Sequence, residues 1–357
     1  MEKNKLLTRE ESTVLTEARI LGKTTDLPVY LSDSEVLRLI AVIASDLGVN
    51  ISSAGFESLP KLPNPDYFKI PLTWFDEEEI AHDLDEQFKL YAGKIPDFLT
   101  YFRCLCELHK RRKKFARINQ TQPIARLEQI SPRALLEFGI VPKGALPSWL
   151  LWRKWFFDVD NRSAQETGYL FEPILAAALG GVSYSASKSP IRRKSDKGKG
   201  RQVDCIVDRR AYEFKLRVTI AASGQGRFAE ELDFAADAAK SGFIPVLLVL
   251  DPTPSSRLAE LEVEFRKHKG HALVGAEAWA HLEAEAGRTM GRFVRRYVRT
   301  PILESEEGEA GVLDLSVSLS TDKSTIRVEL GKGAQSYSWD IPREERGKES
   351  EGDAEEK

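Results

Sequence analysis

The sequence predicts an α/β protein with α+β character: a mixed-sheet core flanked by helices, with a helical N-terminal region and a C-terminal β-meander. Three observations predict it. Up to about Lys143, apolar residues recur at helical spacing. Between Gln202 and Leu250, two strand-like segments are followed by an amphipathic helix and an apolar run, which is the order of a crossover connection. Near the end, 313–319, 325–330 and 335–341 alternate apolar with polar residues and are split by turn residues, as in a meander. The expected organisation is a mostly helical region over 1–145, serving recognition or dimerisation, a core over 146–300, a meander over 301–342 and a disordered acidic tail over 343–357.

Taken in order, 1–25 reads as a weakly specified arm. Ser32-Asp-Ser-Glu35 is a capping box opening a helix that Gly48 stops. Four prolines within 60–71 predict a loop. The spacing predicts helices over 76–91 and 96–117, the second apolar early and basic late, and a short one over 131–139. Trp149, Trp152, Trp155, Phe156 and Phe157 read as core. Ser163-Ala-Gln-Glu166 reads as a second capping box, starting a helix that runs to Leu179 and that Pro173 should kink. Strands follow over 202–207 and 211–219, a helix over 226–240, a buried strand over 243–250 with Pro245 near its start, and helices around Leu261 and Trp279.

The 357 residues carry 52 Lys+Arg and 55 Asp+Glu, a net charge of −3. That near-balance hides segregation. The stretches 103–117 and 188–201 are each net +6, and 288–299 holds five arginines and no acid. Three basic clusters in a slightly acidic chain point to a polyanion partner. No apolar run approaches the ~18 residues of a membrane helix. Three cysteines make no disulfide framework, and a cytoplasmic, reducing setting is expected. Five histidines form no HExxH pair, which excludes the usual metalloprotease arrangement. Cys104, Cys106 and His109 lack a fourth zinc ligand at usable spacing and read as core plus a surface histidine.

The chemistry sits on the two central strands, Gln202-Val-Asp-Cys-Ile-Val207 and Ala211-Tyr-Glu-Phe-Lys-Leu-Arg217. With Arg209-Arg210 as a two-residue loop, 207 pairs with 212, 206 with 213 and 204 with 215. Alternation then puts Asp204, Ile206, Glu213 and Lys215 on one face, with Asp204 opposite Lys215 and diagonal to Glu213. Two acids and a lysine on one face of an otherwise apolar hairpin are unusual packing. Two such carboxylates can share a Mg²⁺, which would neutralise phosphate charge and acidify a water, while Lys215 orients that water or stabilises the charged phosphate. The basic loop leading into the first strand, with Lys188, Arg192, Arg193, Lys194, Lys199 and Arg201, would hold a nucleic-acid backbone against them.

These residues resemble the PD-(D/E)xK nuclease superfamily, whose pattern is an acid on one strand and Asp/Glu-x-Lys on the next, here Asp204 and Glu213-Phe-Lys215. Val203 stands where the family often has proline. The resemblance implies a restriction-endonuclease-like core over 146–300, a further metal acid on the preceding helix, and Gln225 as an extra site residue. For the helix acid, Glu172 is preferred, because the capping box accounts for Glu166. The helical N-terminal half and the stretch from Glu213 to Gly226 look like a type II restriction endonuclease of the ApaLI-like family. That implies Mg²⁺, a homodimer cutting a short palindrome in double-stranded DNA, and a cognate methyltransferase that protects host DNA. Three alternatives stay open: a DNA-binding protein with an inactive nuclease-like core, another PD-(D/E)xK repair or recombination nuclease, and a small-molecule enzyme using the carboxylate pair.

Overall fold

Two capping boxes start the first long helices. Thr8 and Ser32 each accept the N–H of the residue three along, Glu11 and Glu35, whose carboxylates accept the cap N–H in return. They open α1 (Arg9–Ala18) and α2 (Asp33–Leu47), the latter closed by Gly48 at φ 68°. In between lies a short antiparallel ribbon, β1 (Ile20–Leu21) and β2 (Val29–Tyr30). The 1–25 arm is thus corrected over 9–21: Thr8-Arg-Glu-Glu11 is a start signal of the same kind as the one at Ser32. The structure, a computed structural model, describes residues 7–21, 27–49, 59–77, 83–196, 198–216, 225–307, 313–333 and 336–344.

The helical region continues with α3 (Leu72–Phe75), α4 (Leu84–Lys94), α5 (Phe98–Thr121) and α6 (Leu127–Ile130). The helix expected over 76–91 starts later, where Asp83 accepts the Glu86 N–H at 3.1 Å. The short helix expected over 131–139 is a 3-10 turn, Ser131–Leu136.

Next comes α7 (Leu146–Ala178), 33 residues without a break. This corrects one expectation: Ser163 is internal to the helix and caps nothing. Pro173 lies inside the helix, where it costs one ladder N–H without ending it. The aromatic group is not all core either: Trp155 is buried, whereas Trp149, Phe156 and Phe157 are exposed.

The central sheet has strand order β3-β4-β5-β6-β7, formed by β3 (Val182–Tyr184), β4 (Val203–Val207), β5 (Arg210–Lys215), β6 (Ile244–Val249) and β7 (His271–Val274). Its first three strands are antiparallel, and β5, β6 and β7 are parallel. β5 reaches β6 through α8 (Gln225–Lys240), and β6 reaches β7 through α9 (Ser256–Lys267), the layered solution for a parallel pair. One face of the sheet, with Cys205, Tyr212, Phe214, Val246 and Leu248, packs on Ile174 and Leu175 of α7 and shares one buried cluster with α1, α2, α4 and α5. The other face, with Ala211, Leu247 and Val249, packs on Phe234 and Phe265. Pro245 is the second residue of β6, near its start.

Beyond the sheet run α10 (Ala276–Glu285), α11 (Gly287–Val294), a π-helical segment Arg295–Arg299 and α12 (Thr300–Glu307). The meander is β8 (Leu315–Leu319), β9 (Thr325–Leu330) and β10 (Tyr337–Pro342), packed through Ile326 and Val328 on Trp155. Of the expected tail, 345–357 lies outside the described residues. Among the described residues no helix is long and apolar enough to cross a membrane.

His109 is fully buried, which corrects its reading as a surface residue. It is held by Tyr67 (3.0 Å) and stands 3.8 Å from Glu35. Burial alone would push the Glu35 carboxyl up. His109, the Lys113 ammonium and the Ser32 N–H outweigh it and hold Glu35 down to about 2. A depressed carboxyl stabilises the fold above its unfolded value of 4.5 and loses that contribution as pH falls through its folded value. Glu35→Gln is therefore expected to lower Tm at neutral pH, and the gap to wild type should close as pH falls from about 4.5 towards 2. Thermal melts across that window check it.

Candidate active site

β4 and β5 meet in a tight hairpin whose loop is Asp208-Arg209, with Asp208 at φ 52°, a left-handed conformation that aspartate tolerates. The register is Cys205↔Tyr212, Ile206↔Ala211 and Val207↔Arg210. Pairs therefore sum to 417, and the expected loop Arg209-Arg210 and its sum of 419 are corrected. The correction moves each partner by two, which keeps Glu213 and Lys215 on one face of β5, whereas on β4 alternation breaks between Val203 and Cys205, which lie in the clusters on opposite sides of the sheet. It also brings position 204 opposite Glu213 and no longer opposite Lys215.

The ladder ends at Cys205. One step on, a regular ladder would join the Phe214 N–H to the carbonyl of residue 203. That N–H instead donates to Asp204 Oδ2 at 2.8 Å. The carboxylate of Asp204 is thus held in the opening where the strands part, beside β5. A register irregularity against β3 falls in the same stretch, where Val182 pairs with Ile206 but Tyr184 pairs with Val203. Such irregularities re-aim side chains at sites.

On β5, the Lys215 ammonium bridges Glu213 Oε1 (2.9 Å) and Glu231 Oε1 (3.0 Å). Glu231 comes from α8 and was not foreseen; on sequence alone it is one acid among several on an amphipathic helix. From the other side, α7 brings Glu172 into the electrostatic field of Glu213 and Lys215. Glu166 is elsewhere, paired with Arg111 and with Lys114 (2.7 Å) of α5. Glu172 is thus the helix acid the structure puts beside the strands. The reason given for setting Glu166 aside is replaced: it is an interhelical ion pair.

Crowded acids that are partly withdrawn from water resist ionising together. Burial first, then the charges of Glu213 and Glu172, push the Asp204 carboxyl well above the ordinary carboxylate range. Burial, then Glu213, also raises Glu172. Burial would lower the Lys215 ammonium, but Glu213 and Glu231 outweigh it and raise it. The site is short of positive charge even with Lys215 in place.

That donor set fits a hard divalent cation, which takes carboxylate oxygens and relieves such repulsion. Among the described residues no three acid, histidine or cysteine side chains already converge on a metal-sized space. One Asp204 oxygen is taken by Phe214 N–H and one Glu213 oxygen by Lys215, which leaves the second oxygen of each for a ligand.

The basic loop before β4 folds onto α8. Arg193 pairs with Glu230 at 2.8 Å, and the Lys194 N–H bonds Asp237 at 2.6 Å. Arg201 is buried, with Nε 2.6 Å from the buried Asp237 and a second bond to the Glu230 carbonyl. Its sequence assignment to DNA is corrected: it anchors the loop. Lys188, Arg192, Lys194 and Lys199 are exposed. Gln225 is the first residue of α8, and its side chain lies outside the described residues, as do 217–224.

The chain is 49% identical over 308 residues to "Type II restriction enzyme ApaLI" of Acetobacter pasteurianus, covering 83% of this chain and 82% of that protein. No solved structure matches. Residues 71–299, which contain every strand of the central sheet and the whole acidic cluster, match the ApaLI-like restriction endonuclease family, and the chain belongs to that family.

Proposed function

We propose that this chain is a Mg²⁺-dependent type II endonuclease that hydrolyses both strands of double-stranded DNA at a short palindromic sequence. Family membership makes it a site-specific deoxyribonuclease. The observation that carries the chemical reading is the Lys215 ammonium bonded to Glu213, with the Asp204 carboxylate fixed on the neighbouring Phe214 N–H and Glu172 in the field of both.

In this reading Asp204 and Glu213 would hold the metal, with Glu172 completing the acidic set. When bound, the divalent ion supplies charge neutralisation at the scissile phosphate and makes water a better nucleophile. Lys215 is a fixed cation beside that position. It donates hydrogen bonds to the attacking water or to the phosphate oxygen on which charge develops. Glu231 is a positioning residue: its carboxylate is a second partner that would hold the Lys215 ammonium in place were Glu213 a metal ligand. Phe214 N–H fixes one oxygen of Asp204. Lys188, Arg192, Arg193, Lys194 and Lys199 track the phosphate backbone, with Arg193 first exchanging Glu230 for phosphate. Gln225 stays an additional candidate for this interface. The enzyme acts as a homodimer in the bacterial cytoplasm, with a cognate methyltransferase protecting host DNA.

The test is digestion of a sequenced, unmethylated plasmid with purified protein and Mg²⁺. Discrete fragments whose ends map to one short symmetric sequence are expected, with none when EDTA removes the metal. Absence of cleavage across a range of unmethylated DNAs would overturn the reading.

A further inference from the structure

Leu135, Leu136 and Ile140 are 80%, 82% and 81% exposed, and Phe138 beside them is largely exposed too. Four large apolar side chains within six residues face solvent, although the segment is firmly built. Glu137 is paired with Arg153 of α7 at 2.7 Å. The Lys143 ammonium lies 5.1 Å from the Phe138 ring centre. Beneath, Ile130, Leu146 and Leu150 form a small buried cluster of their own. A cavity of about 180 Å³ between Arg133 and Phe157 joins the segment to the first half of α7, whose Phe157 and Trp149 are also exposed.

We propose that this surface, the 131–141 segment with the first half of α7, is where a second copy of the chain docks. Six large apolar side chains at this exposure present roughly 600–800 Å². That reaches past the largest apolar patch of an ordinary monomer, about 300–600 Å². It approaches the ~800 Å² each partner gives to a stable interface. DNA does not fit here, because nucleic-acid faces are polar and strongly positive. Arg133, Arg153 and Lys154 line the cavity, but Arg153 is paired with Glu137 and Lys154 with Asp158, so the charges beside the apolar surface are largely neutralised within the chain and leave an apolar face to dock.

The position serves the chemistry as well. Phe157 and Glu172 lie on the same unbroken helix, fifteen residues and therefore about 22 Å apart. A two-fold contact at the start of α7 sets two acidic clusters at a fixed spacing. The choice of a second copy as occupant rests on the proposed cleavage of both strands.

Sedimentation velocity on the full-length protein without DNA tests it. At micromolar concentration the wild type is expected at twice the chain mass. Leu135→Glu/Leu136→Glu should weaken association by about 100-fold and run as a monomer. Circular dichroism and Tm should be unchanged, because both side chains already face water. Phe157→Ser gives a second break in the same surface. A monomeric wild type overturns the proposal. So does a double variant that stays dimeric, or a monomer in which 131–141 is protected from hydrogen exchange by another part of its own chain. Plasmid cleavage is scored separately: a protein that dimerises through this face but cuts nothing removes the endonuclease reading and leaves the surface standing.

Discussion

Asp204→Asn is expected to lower plasmid cleavage by about 10³-fold or more while raising the Tm of the metal-free protein. Asparagine can still accept the Phe214 N–H, so the hairpin keeps its shape. What disappears is a carboxylate ligand, and charge stabilisation by a bound metal supplies several kcal/mol. Losing ~4 kcal/mol of it costs about 10³ in rate. The Tm rise follows from sign. The Asp204 carboxyl is raised in the folded chain, chiefly by burial and by Glu213 and Glu172. The stability attached to such an acid is present at low pH and is lost as pH rises through its folded value. At neutral pH without cations, Asp204 therefore opposes folding, and a neutral side chain relieves it. Millimolar Mg²⁺ should raise the Tm of wild type more than that of the variant. A variant that cuts like wild type, or one destabilised in the absence of metal, contradicts the account.

Lys215→Met is expected to lose activity on a similar scale, about 10²–10³-fold, as for removal of one charge-stabilising donor, but with the opposite effect on stability. The ammonium sits between Glu213 and Glu231 and is raised by both. A raised lysine contributes its stability in full below its unfolded value and gives it up only as pH rises through the higher folded one, so it acts in full at neutral pH. Its removal leaves two carboxylates facing each other and Asp204 with less compensation. The metal-free Tm should fall, and added Mg²⁺ should restore part of it. The two variants thus separate loss of chemistry from loss of fold. Both lose activity, one with a firmer scaffold and one with a weaker one. Paired melts and plasmid digests read both effects.

Much of this site was legible in the chain. Glu213 and Lys215 share a face of β5 by alternation, which an error of two in the pairing leaves intact; β4 is irregular at Asp204, with Val203 in the cluster under α8 and Cys205 in the one under α7, so there the backbone irregularity and the Phe214 N–H, more than alternation, aim the acid. The loop itself was misplaced, because Asp208 and Arg209 are as able to turn as Arg209 and Arg210, and only tertiary pairing decides. Glu231 was hidden because nothing local distinguishes it from the other acids of α8; it becomes visible only when the crossover returns over β5. Arg201 looked like one more cation in a basic loop, and its buried partner Asp237 lies 36 positions away. The continuous α7 was cut at Ser163 because a sequence of capping type also occurs inside helices, where tertiary packing overrides it. The edge strands β3 and β7, of three and four residues, carry too little pattern to stand out.

The most direct test of the central claim is to soak crystals of the full-length protein in Mn²⁺ and measure anomalous scattering. The account predicts a peak between the carboxylates of Asp204 and Glu213, absent from Asp204→Asn crystals grown and soaked alike. A wild-type map with no peak there, or an equal peak in the variant, contradicts it.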